Sequence, residues 1–131
     1  MSEEQNVAVV RRLWELFEAR RWDDAGELLH EDFVAEWPHS LERMRGRANF
    51  IELNRNYPEG WTIRVDRIVA RGDEVVSEVT VTQGDAMFHA ASFFQVRDGK
   101  LVRAREYWVE RGTESHPERS QWTEPLDDEL G

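Results

Sequence analysis

The chain contains no cysteine. That excludes disulfides, thiol nucleophiles and thiolate-bound zinc, and it suits a reducing compartment. No apolar run approaches the length needed to span a bilayer. The first residues, Met1-Ser2-Glu3-Glu4, are acidic where a secretory signal starts basic and then turns apolar, so a cytoplasmic protein is expected. Clustered basic residues are lacking as well. The formal net charge is −10, with the arginines scattered among carboxylates, which argues against nucleic acid and anionic membrane as partners. His30, Glu31 and Asp32 are consecutive, a spacing that does not bring metal ligands together. No metal and no organic cofactor are expected. Internal repeats and a candidate linker through the body are also missing.

What remains is the composition of an ordinary globular domain, 131 residues with 40% hydrophobic and 34% charged content, enough for one core. Six tryptophans in so short a chain exceed what packing requires and fit a core, an interface or a pocket equally well.

Ser2 and Gln5 make a capping box for a first helix, and Val7, Val10, Leu13, Trp14 and Phe17 recur at helical spacing behind it. A short second helix is expected from about Trp22-Asp23-Asp24, burying Ala25, Leu28 and Leu29, with Asp23 or Asp24 serving its first turn. Phe33 to Trp37 reads as a short strand stopped by Pro38. Arg47 to about Asn56 reads as a third helix, ended by Tyr57-Pro58-Glu59-Gly60. Four runs rich in Val, Ile, Thr and aromatics follow, Trp61 to Ala70, Glu74 to Gln83, Met87 to Arg97 and Lys100 to Glu110. Turns at Arg71-Gly72-Asp73, Gly84-Asp85 and Asp98-Gly99 separate them, and turns this short make antiparallel neighbours. Residues 1–111 are thus expected to form one α+β domain. In it a strongly curved antiparallel sheet wraps about three N-terminal helices, a cone-shaped roll with an internal pocket. Residues 112–131, with Pro117, Pro125 and a terminal acidic run, are expected to be an extended or partly disordered tail on which Trp122 docks back to the body.

This order of elements resembles the nuclear transport factor 2-like superfamily and its SnoaL-like domains. The residues that carry the resemblance are Leu28-Leu29-His30-Glu31-Asp32-Phe33, Arg45-Gly46-Arg47, and Asp98-Gly99-Lys100-Leu101-Val102 through Glu106-Tyr107-Trp108. It covers about residues 5 to 111 and implies the fold, while the fold by itself leaves the reaction open. In ketosteroid isomerases a tyrosine, an acid and a carboxylate base stand where alignment puts Trp14, Ser92 and Trp37. Trp37 accepts no proton and Trp14 offers only an indole N–H, so that mechanism is excluded. In limonene-epoxide hydrolases an acid within Arg-Asp-Tyr activates water. Arg105-Glu106-Tyr107 is similar, but Phe88, Ala90, Ser92 and Phe94 supply no acid or arginine beside it. A SnoaL-like cyclase needs only an acid/base residue in a shaped apolar pocket, which Glu106 can serve.

Side chains alternate along a strand. Val102, Ala104, Glu106 and Trp108 therefore share one face of the last strand, and Leu101, Arg103, Arg105, Tyr107 and Val109 the other. The resemblance turns Glu106 and Trp108 inward, and Phe88, Ala90, Ser92, Phe94 and Val96 with them. The implied pocket has Glu106 as its candidate catalytic residue. Its ligand-binding walls are Trp14 and Phe17, Trp37 and His39, Phe50 with Leu53 or Asn54, Ser92, Phe94 and Trp108. Burial among rings raises the pKa of such a carboxyl. The alternative is a structural Glu106 paired with an arginine or with His39. Ser92 has no base to activate it, so a hydrogen-bonding role is expected. The outer face, with His89, Phe93 and Tyr107, is apolar enough to require a cover, and a homodimer is expected there.

Two readings of function follow. One is proton-transfer chemistry of isomerase, cyclase or hydrolase type on a small apolar molecule, through Glu106. The other is non-catalytic binding of such a molecule, or a dimeric interaction module. Whether the chain is an enzyme stays open at this stage.

Overall fold

The structure, a computed structural model, describes residues 2–112 and 116–126. Helix α1 (Glu3–Glu18) starts at the expected capping box, with Ser2 Oγ accepting from the Gln5 N–H and the Gln5 side chain accepting from the Ser2 N–H. Its inner face is Val10, Leu13, Trp14, Leu16 and Phe17. Val7 is only half-buried. The fully buried position of that first turn belongs to Asn6, whose Nδ2 donates to the Gly72 carbonyl at 3.0 Å and ties the helix to a hairpin turn. Helix α2 (Trp22–Glu27) is short and buries Ala25, and Leu29 belongs to the strand that follows.

Strand β1 (Leu29–Trp37) begins earlier than the expected Phe33, and a second strand, β2 (Glu42–Arg45), was not anticipated. Three of the four β2 residues are charged and Met44 alone is buried. Such a segment has no apolar alternation to mark it as strand. After it come α3 (Arg47–Arg55), β3 (Trp61–Arg71), β4 (Glu74–Gln83), β5 (Ala86–Arg97) and β6 (Lys100–Glu110). The last four follow the expected limits to within a residue. The turns between them use positive φ at Gly72, Gly84, Asp98 and Gly99, the conformations for which Gly and Asp stand at those positions.

The six strands form one sheet in the order β2-β1-β6-β5-β4-β3. β1 runs parallel to β6 and every other pair is antiparallel. Register shifts interrupt the ladders. Asp66 is an extra residue in β3 between the Val65–Val79 and Arg67–Glu78 pairs. Val102 is an extra residue in β6 between the Leu101–Val96 and Arg103–Gln95 pairs. The β1–β6 register also slips between Leu29 and Val34. An extra residue bends its strand and deepens the local twist, which curls the sheet around the helices without closing it. The bulge corrects the strict parity expected for β6. Leu101 is fully buried and faces inward with Ala104 and Glu106, and Val102 is half-buried.

The core joins α1 and α3 to the concave face through Phe33, Phe50, Phe94, Val75, Val79 and Leu101. Phe33 and Phe50 approach to 5.0 Å between ring centroids. Where α1 ends, Arg20 adopts φ 60°. Its guanidinium donates to the Trp61 carbonyl at 2.6 Å and to Glu59, and lies 3.4 Å over the Trp61 ring. This arginine clamps the helix end to the start of β3. Beyond Glu110 the described residues include one 3-10 turn, Pro117–Arg119, and all but the half-buried Arg111 are exposed. Trp122 does not dock on the body and is 76% exposed. No helix of the described residues is long and apolar enough to cross a membrane.

Candidate functional site

A cavity of about 300 Å³ opens between the helices and the concave face of the sheet. The expected walls Trp14, Phe17, Trp37, His39, Phe50, Leu53, Asn54 and Trp108 line it, together with Glu106. Two expected wall residues stand behind it. Phe94 is buried against Trp14, edge to face at 6.4 Å, and Ser92 is buried beneath Glu106 and reaches the cavity only through it. The β3–β4 hairpin supplies a wall that sequence reasoning missed, Trp61 and Ile63 of β3 and Val81 and Gln83 of β4, joined by Tyr57. Trp61, Ile63, Val81 and Gln83 share one parity across paired positions, which groups them on one face, but that this face meets the cavity depends on the curl of the sheet. Phe88, Val109 and Glu110 complete the rim, although Val109 was expected on the outer face.

The site is built on one row of the sheet. Ser77 of β4 pairs with Ser92 of β5, and Ser92 with Glu106 of β6. All three side chains are buried among hydrophobic neighbours. Buried polar groups need partners, and the helix and β1 provide them. The Trp14 indole N–H donates to Ser77 Oγ at 3.0 Å. The Ser92 hydroxyl donates to Glu106 Oε2 at 2.7 Å, and the Trp37 indole N–H donates to Glu106 Oε1 at 2.9 Å. The Trp108 N–H is turned toward the same carboxyl and lowers its pKa, though its approach falls short of hydrogen-bond geometry and leaves it unpartnered. Four residues further along the strands, roughly 14 Å away at ~3.4 Å per residue, the row Ile63, Val81, Phe88 and Glu110 forms the mouth.

No arginine or lysine lines the cavity among the described residues. Burial therefore dominates the Glu106 carboxyl and pushes its pKa above the ordinary 4.5. The donors Trp37, Ser92 and Trp108 and the charge of His39 pull it back only in part. His39 stacks on Trp37 with ring centroids 6.0 Å apart, and no hydrogen bond joins it to Glu106 among the described residues. The alternative in which Glu106 is a structural ion-pair partner of an arginine does not fit this geometry. Among the described residues no group of His, Asp or Glu side chains is arranged to hold a metal ion. Chemically the arrangement presents a carboxyl that holds its proton to higher pH than an exposed glutamate, at the inner end of an aromatic chamber.

A six-stranded curved, unclosed sheet over N-terminal helices, with its cavity between them, is the nuclear transport factor 2-like cone. Within that fold the chain belongs to the SnoaL-like domain family, whose pattern residues 10–104 match. No curated protein matches it in sequence. Among solved structures it is similar to a Kribbella flavida protein provisionally described as a ketosteroid isomerase. Identity there is 32%, with a TM-score of 0.89, over 98% of this chain and 94% of that one. A nuclear transport factor 2-like protein of unknown function from Burkholderia xenovorans is 25% identical with a TM-score of 0.78, over 95% and 98% of the two chains. An LEH-like epoxide hydrolase of M. tuberculosis shares the fold at 24% identity and a TM-score of 0.71, over 82% and 84%.

Proposed function

We propose that the protein binds a small apolar molecule in this cavity and that Glu106 transfers a proton to or from it, in chemistry of isomerase, cyclase or hydrolase type. The observation that carries the reading is a buried carboxyl on the cavity wall, with its pKa raised by burial and no cation bonded to it. A structural acid in such a place is expected to be paired, and a general acid or base is expected to have a pKa shifted toward the working pH. The substitution Glu106→Gln keeps the shape and removes the exchangeable proton. It is expected to lower turnover by about 10²–10⁴-fold, the usual contribution of a general acid or base, with the affinity for an uncharged apolar compound within a few-fold. Full activity in that variant, measured against small carbonyl and epoxide compounds, sinks the reading.

A second reading, binding without turnover, has its own support. Both Glu106 oxygens already accept a hydrogen bond and the residue is only 2% exposed. On this reading ligand addition changes tryptophan fluorescence and no product forms after long incubation.

We propose residues 1–111 as the folded unit, with β6 ending at Glu110, and 112–131 as a tail, of which residues 113–115 and 127–131 lie outside the described residues. We also propose that two copies pair through the outer sheet face at His89, Phe93 and Tyr107. Phe93 and Tyr107 meet edge to face at 6.1 Å and are 49% and 41% exposed, an apolar pair that gains from being covered. Phe93→Glu is expected to shift the mass in light scattering from dimer to monomer, and an unchanged mass counts against that face.

A further inference from the structure

Among the described residues the ionisable groups on the cavity lining are Glu106, Glu110, His39 and Tyr57, two carboxylates and one imidazole with no permanent cation. Arg111 lies past the rim, where its guanidinium donates to Met87 Sδ at 3.1 Å and lines a separate cleft with Glu110 and Asp85. Arg20 reaches Trp61 but is not part of the lining. The donors around Glu106 are the ones a carboxylate needs. The Trp37 indole can only donate, and it occupies one lone-pair site on Oε1, while Ser92 occupies one on Oε2. Each oxygen keeps another lone pair. The protein thus supplies hydrogen bonds for an anion but no permanent cation against it, His39 being the one basic side chain on the described lining and making no hydrogen bond to Glu106, within walls that include Trp14, Trp37 and Trp108. Electron-rich ring faces attract cations and leave anions unpaired.

Resting on the reading that this cavity holds a small molecule, we infer that its ligand class is an apolar molecule bearing a basic nitrogen. The free base enters and takes the Glu106 proton, so that the Glu106 O–H bond breaks as an N–H bond forms. The resulting ammonium stays against the carboxylate inside the indole walls. The pair is formed within the cavity, and no net charge is carried into it from water.

Isothermal titration of the full chain with three naphthalene derivatives of similar size tests this: a dimethylaminomethyl compound, its isobutyl hydrocarbon analogue, and naphthylacetate. The amine is expected to bind at least about tenfold more tightly than the hydrocarbon, a step of one decade in Kd, and the carboxylate most weakly. Glu106→Gln is expected to remove the amine's advantage and leave hydrocarbon binding within about twofold. Hydrocarbon binding needs the same folded cavity and so controls for folding. If the variant loses the hydrocarbon as well, the ranking on the natural protein decides. Equal or tighter binding of the hydrocarbon or carboxylate overturns the amine class and leaves the pocket reading standing. Binding of none of the three overturns both. Absence of turnover alone bears on neither the ranking nor its loss in the variant.

Discussion

Glu36 and Glu106 stand on neighbouring strands within one register step of each other, since Glu36 pairs with Arg105, yet on opposite faces of the sheet. Glu36 faces out. Its Oε1 receives Arg103 at 2.6 Å and Arg105 at 3.6 Å, and its Oε2 receives Arg43 at 3.4 Å. The hydrogen bond and charge of Arg103, joined by Arg105 and Arg43, hold its pKa below the ordinary value against a smaller effect of burial. Glu106 faces in, receives only neutral donors, and is pushed the other way by burial. The same side chain is thus a permanent charge on one face and a titrating group on the other. What separates them is the supply of cations, because every arginine of β6 lies on the convex side. A one-residue change of parity exchanges the two environments.

The two carboxylates give stability of opposite pH dependence. Glu106 has a raised folded pKa. Between the unfolded value and that pKa the folded protein holds a proton that the unfolded chain has released, so stability present below pH 4.5 is lost as pH rises through the folded pKa. The slope is at most about 1.4 kcal/mol per pH unit. Glu106→Gln is expected to remove that decline. Urea unfolding between about pH 4 and pH 8 should show the natural protein losing ground to the variant at the alkaline end. Parallel curves would mean that Glu106 is not held neutral in the fold.

The partners of Glu106 come next in size. Trp37→Phe and Ser92→Ala each remove one donor and leave a carboxylate oxygen short of a bond. Each is expected to cost about 1–3 kcal/mol where Glu106 must be charged, the range for a buried group losing its partner, and less in acid. Both also move the Glu106 pKa further up. A carbon-13 label on the Glu106 carboxyl, followed by NMR across pH, reads that shift directly. A downward shift would contradict the donor assignment.

Much of this contrast was legible in the chain. Alternation sorted Phe88 to Val96 and Ala104 to Trp108 onto the right faces, because strand parity is a property of the backbone and needs no partner to state it. Asp98-Gly99 announced its hairpin through the positive φ that such turns demand. Turning Glu106 inward depended on the family resemblance, since a lone Glu in a strand reads as solvent-facing. Three things were out of reach. The bulge at Val102 leaves no compositional trace and inverts the facing of Leu101. Charged β2 is held by pairing with β1 and by the Glu36–Arg43 contact rather than by apolar alternation. The β3–β4 wall of the cavity, Trp61 with Gln83, depends on the curl of the sheet, which bulges at Asp66 and Val102 create and local propensity does not encode.

The smallest effect is expected on the convex face and sharpens the comparison most. Glu36→Gln removes the acceptor of three arginines, each about half exposed. Water and salt already screen such groups, so the loss should be below about 1 kcal/mol at low ionic strength and should vanish near 1 M salt. Its pH dependence runs opposite to that of Glu106. With the folded pKa lowered, the stabilisation is present above pH 4.5 and lost as pH falls through the folded value. Unfolding of this variant and of the natural protein should therefore converge in acid, where the curves of the Glu106→Gln variant and the natural protein also meet, and differ only slightly at neutrality. A Glu36→Gln cost of several kcal/mol that resists salt would show that the arginine cluster is shielded from water. The convex face would then be covered in solution, as the proposed pairing through Phe93 and Tyr107 requires of its neighbours.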